Sequence, residues 1–101
     1  MGKDQRRELH GILKPLAPNV YFQPGEKSTL KYPCIIYSIE GVNSGYADNL
    51  RYKKATRYTV TAIDTDPDSE IWEKILELPH TDLEQVIIID QLYHWNITLY
   101  Y

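Results

Sequence analysis

Asp64, Asp66 and Asp68 alternate along the chain, the spacing with which hard cations such as calcium collect oxygen ligands. A calcium loop of the EF-hand kind also needs Gly at its sixth position and Glu at its twelfth, where this chain has Ser69 and Ile75. The acids read instead as a helix start, with Asp66 as N-cap, Pro67 at the first helical position and Asp68 in the first turn. His10, His80 and His94 lack the i, i+4 or HxH spacing that makes a zinc pair. Cys34 is the single cysteine, so no intrachain disulfide and no CxxC motif can form. It lies beside Ile35 and Ile36, where a thiol behaves as a small hydrophobe and nothing local lowers its pKa. A Cys34–His pair brought together by the fold is the remaining route to a nucleophile. GxSxG, P-loop and GxGxxG motifs are all missing from the sequence. The expectation is a non-enzymatic chain with no metal and no cofactor.

A second constellation is basic and aromatic: Arg51, Lys53, Lys54 and Arg57, with Tyr46 and Tyr52 interleaved. Such a mixture can hold single-stranded nucleic acid. Against that stand a net charge of -3, Glu40 and Asp48 in the same stretch, and a pI near 5.5. Contact with another protein chain fits better, because Tyr and Arg are enriched at interfaces. Nine tyrosines against one phenylalanine point the same way.

The elements that must position these residues are read from periodicity. Leu9, Ile12, Leu13 and Leu16 fall at i, i+3, i+4 and i+7, predicting an amphipathic helix from Asp4 to about Leu16, ended by Pro15 and Pro18. Val20–Phe22 predicts a short strand, Pro24-Gly25 a turn, and Tyr32–Ile39 a second strand. The polar stretch at about 40–54 predicts a long hairpin loop leading into an alternating strand over Thr56–Thr65. A helix follows, opening at Asp66 and closing at Pro79, with Ile71, Trp72, Ile75, Leu76 and Leu78 on its apolar face. Leu83–Asp90 and Leu92–Tyr101 complete the set as two strands around a tight turn at Asp90-Gln91.

At 101 residues the chain is one domain, 1–101, of α+β class: a mostly antiparallel sheet packed by two helices in the order α-β-β-β-α-β-β. Tyr93, Trp95, Ile97 and Leu99 are expected to face the core against the helices holding Ile12 and Ile75, with His94, Asn96 and Thr98 outside. The first fifteen residues lack the 7–15-residue apolar run of a signal peptide, and the longest apolar run is Val86–Ile89. The expectation is a protein neither exported by the usual route nor inserted in a bilayer.

Laid end to end, several segments resemble one family: Val20-Tyr21-Phe22-Gln23-Pro24, Lys31 through Tyr37, Tyr46-Ala47-Asp48-Asn49, Tyr58 through Ser69, and Thr98-Leu99-Tyr100-Tyr101. It is the small tail-terminator, or tail-completion, and head-to-tail joining proteins of long-tailed bacteriophages of Gram-positive hosts. The resemblance spans nearly all of the chain from residue 20 onward. It implies a non-enzymatic virion structural protein that forms a ring, usually a hexamer, on the head-proximal end of the tail tube. Its implied partners are other copies of itself, the major tail tube protein and a head-completion or connector protein. Neither a membrane nor a specific nucleic-acid sequence is implied, although DNA would pass through the ring. The implied location is the tail-neck region of the virion, after synthesis in the bacterial host cytoplasm. The residues expected to meet partners are Tyr46, Asp48, Asn49, Arg51, Tyr52, Lys53 and Lys54. The alternative is a small monomeric or dimeric adaptor that binds one protein partner.

Overall fold

The computed structural model describes residues 3–25, 29–43 and 55–101, with side chains described for 6–25, 29–40 and 56–101. Helix α1 (Lys3–Leu13) tightens into a 3-10 turn over Lys14–Leu16, where Pro15 leaves a backbone without an N–H. Strands β1 (Asn19–Phe22), β2 (Cys34–Asn43) and β3 (Ala55–Asp64) follow, then helix α2 (Ile71–Leu76) and strands β4 (Thr81–Ile89) and β5 (Leu92–Tyr100). The five strands form one sheet in the order β1-β2-β3-β5-β4.

The sheet is mixed, which corrects the antiparallel expectation in one place. β1 pairs with β2 in parallel, with Asn19 opposite Cys34 and Phe22 opposite Tyr37. Residues 23–33 return the chain to the starting end of β1, so they act as a crossover and not as a hairpin. The other three pairings, β2 with β3, β3 with β5 and β4 with β5, are antiparallel.

Cross-strand partners show which side chains share a face. Ile35, Ala62, Trp95 and Val86 form one row, and Tyr37, Val60, Ile97 and Leu83 the next, all on the face that the helices cover. Buried Leu9 and Leu13 from α1, and Ile71 and Ile75 from α2, join Ile35, Tyr37, Tyr58, Val60, Trp95, Ile97 and Leu99 in one core. The alternation expected in β5 is therefore found: Trp95, Ile97 and Leu99 are buried and Tyr93 packs against them, while His94, Asn96 and Thr98 lie on the other face. Ile12 is a correction, because it is 36% exposed. At 100° per residue it falls on the flank of a stripe centred between Leu9 and Leu13, beyond the reach of the sheet. Arg6 also anchors α1, its guanidinium lying 4.5 Å over the Phe22 ring of β1.

The start of α2 is a second correction. Asp66 does not cap it; the helix opens at Ile71. Asp64 Oδ1 accepts the Asp66 amide at 3.1 Å, and Asp66 Oδ1 accepts the Asp68 amide at 2.9 Å. These local bonds hold the chain in successive turns and postpone the helix. The N-cap position falls to Glu70, which makes no side-chain cap bond, and buried Ser69 just before it accepts the Ile71 amide on its Oγ at 3.4 Å. At the other end the Thr81 hydroxyl lies 2.9 Å from the Leu78 carbonyl and 3.3 Å from that of Leu76, serving acceptors that the helix end leaves open. The β4–β5 turn falls where expected, with φ of 51° at Asp90 and 66° at Gln91, the signature of a two-residue type I′ hairpin.

Candidate functional site

Among the described residues, Cys34 and His94 share one cross-strand row with Ile63 between them, while His10 lies on α1 and His80 at the corner before β4. Cys34 is fully buried at the start of β2, on the face away from the helices and beside Ile63 of β3. Burial, followed by the charge of Asp64, pushes its thiol up to about 11. A nucleophilic cysteine needs the opposite shift. His10 Nδ1 and the Tyr37 hydroxyl share a hydrogen bond of 2.7 Å beneath α1. His94 Nδ1 lies 3.2 Å from the Leu92 carbonyl, and His80 occupies a left-handed corner with φ 61°. Among the described residues no group of three or more His, Cys, Asp or Glu is placed to hold a metal ion. No described helix is long and apolar enough to cross a membrane.

Tyrosine serves the core as well as the surface. Tyr37 and Tyr58 are buried with ring centroids 6.1 Å apart, and burial is the main cause of their raised pKa values. Tyr101 donates a hydrogen bond to Glu8 Oε1 at 2.8 Å, tying the end of β5 to α1; that bond, followed by burial, raises its pKa. Tyr32 is 43% exposed. Part of the tyrosine bias is therefore explained by packing before any partner is invoked.

The seven expected partner residues, Tyr46, Asp48, Asn49, Arg51, Tyr52, Lys53 and Lys54, lie outside the described residues. Their frame is described. β2 continues past Ile39 through an irregularity in register between Ile39 and Gly41, and backbone pairing resumes up to Asn43 opposite Ala55. The expected loop at 40–54 thus contracts to a connection over 44–54, because a bulge lets the ladder continue beyond the break in alternation. Even so, that connection is longer than the 2–5 residues a hairpin needs. Of the basic cluster, Arg57 is described: it is exposed on β3, opposite Tyr100.

A surface that the pattern reading did not single out is the outer edge of the sheet. β4 pairs only with β5 among the described strands, and Val86, Ile88 and Ile89 are 48%, 62% and 50% exposed. Val86 and Ile88 lie beside Trp95 and Tyr93 on the helix face, where Trp72, Trp95 and Tyr93 stack at centroid distances of 6.1 and 5.8 Å. The sequence signal was available: a run of apolar residues with no alternation means a strand that is apolar on both faces. That pattern usually marks a central strand, and here it stands at an edge.

No protein family, curated protein or solved structure matches the chain.

Proposed function

We propose that this chain is a non-enzymatic structural protein of bacteriophage tail assembly. In this reading it forms a ring that caps the head-proximal end of the tail tube and docks it to the head connector. The observation that carries the reading is the β2–β3 hairpin. Its strands pair up to Asn43 and Ala55, and a two-residue turn would close it there; the chain instead supplies 44–54, rich in Tyr, Arg and Lys. Ordering such a stretch costs about 1–2 kcal/mol per residue, and a neighbouring subunit or the tube supplies the compensating contacts. Tyr46 and Tyr52 are the anchors in this account. Arg51, Lys53 and Lys54, with Asp48 and Asn49, form a polar rim. The ring interfaces are heterologous and close by rotation.

The test is light scattering at several concentrations together with negative-stain images of the protein mixed with tail tubes of the phage whose genome encodes it. The expected result is a ring at one end of each tube. Protein that neither forms rings at high concentration nor associates with tubes overturns the proposal. A second reading, a small adaptor binding one partner, is favoured by the exposed apolar edge of β4, which offers a ready site for a single added strand.

A further inference from the structure

We propose that the second half of β4, Gln85–Ile89, is a docking edge for an extended segment of another protein, one with alternating apolar residues and Lys or Arg at its ends. The inference concerns the sheet edge and is independent of the 44–54 connection. An edge strand carries a row of backbone donors and acceptors that β5 does not use, and proteins usually guard such a row with charge, proline or a bulge. β4 is guarded in its first half alone. Asp82 and Glu84 are exposed there, and the register breaks between Leu83 and Gln85. From Gln85 to Ile89 there is no charge, no proline and no irregularity. Ile88 is the most exposed large hydrophobic side chain described.

Charge decides the occupant. Between Thr81 and Gln91 the chain has three acids, Asp82, Glu84 and Asp90, and no Lys, Arg or His. Beside the Trp72–Trp95–Tyr93 stack, an open depression lined by Trp72 also carries exposed Asp68, Glu70 and Glu73; Lys74 is the basic residue of α2. The edge is therefore apolar in the middle and acidic around it. A second copy is a poor occupant, because it brings the same three acids and no base to an edge that is already acidic. In the antiparallel self-pairing that sets Ile87 opposite Ile87, Glu84 also falls opposite Asp90 twice, and like charges directly opposite are destabilising. A strand with basic ends meets those acids favourably, and its main chain completes the ladder.

The probe is a blocked peptide with alternating Val and Thr flanked by two Lys at each end, compared with the same peptide flanked by Glu. Binding is followed by amide hydrogen exchange. The expected result is slowed exchange confined to Gln85–Ile89 of β4, about tenfold tighter binding of the Lys-flanked peptide at low salt, and a difference that shrinks as salt is added. Ile88→Lys, at an exposed position, should melt like the parent protein and lose the Lys-flanked peptide. Equal binding of both peptides, protection elsewhere, or no binding at all overturns the proposal. So does self-association that Ile88→Lys abolishes, which would assign the edge to a second copy.

Discussion

Trp95→Ala probes the packing that fixes the sheet on its helices. Trp95 is 5% exposed, lies between Ala62 of β3 and Val86 of β4, and stacks on Trp72 and Tyr93 at interplanar angles of 11° and 21°. Truncating a buried Trp to Ala costs about 3–5 kcal/mol, the transfer term plus a cavity that neighbours fill incompletely. Loss of two aromatic stacks belongs to the upper part of that range. A domain of this size has roughly 5–15 kcal/mol in total, and each kcal/mol moves Tm by about 4–8 °C, so Tm should fall by at least about 12 °C. Calorimetry reads the shift, and near-UV circular dichroism reads loss of the aromatic stack. Trp72→Ala, at a half-buried position on α2, should cost about half as much. A Trp95→Ala protein melting within about 4 °C of the parent would refute the packing argument and the register behind it.

Three further outcomes follow from the same geometry. The Cys34 thiol should resist iodoacetamide at pH 8 in the folded protein and react at once in denaturant; stoichiometric labelling of the folded form would contradict its burial. Its folded pKa is raised from 9.0 to about 11, so folding favours the neutral thiol. That contribution is complete below about pH 9 and is lost as pH rises toward 11, with Tyr37 and Tyr58 acting in the same direction at higher pH. Denaturant titrations should show this alkaline decline, and stability that rises from pH 9 to 11 would contradict it. Replacing Asp90→Asn and Gln91→Gly should raise stability by about 0.5 kcal/mol, since both positions have positive φ; a loss of stability would argue against the type I′ turn.

How legible the fold was depended on whether a local signal had a rival. β5 was fixed by its alternation because Trp95, Ile97 and Leu99 have no other way to share one face. The parallel entry of β1 was not legible: Val20-Tyr21-Phe22 specifies a strand but no direction, and direction is set by where 23–33 returns the chain. At α2 two chemistries competed for the same aspartates, and the Asx bonds of Asp64 and Asp66 prevailed over capping. Ile12 satisfied the helical spacing yet lies at the margin of the covered stripe. The 40–54 hairpin was legible as a polar interruption, though strand pairing extends to Asn43 because a bulge can break alternation without ending a ladder. The β4 edge was visible as an apolar run, but its edge position depends on strand order, which the linear sequence does not display.

The most direct test of the proposed assembly role shortens the β2–β3 connection. Replacing 44–54 by a two-residue Asn-Gly turn joins Asn43 and Ala55 where they already pair, so the fold has no reason to suffer. The shortened protein should melt like the parent and, mixed with tail tubes, leave their ends bare and their lengths uncontrolled in negative-stain images. Tubes of normal length bearing normal rings would show that the connection is a solvated excursion and would contradict the account.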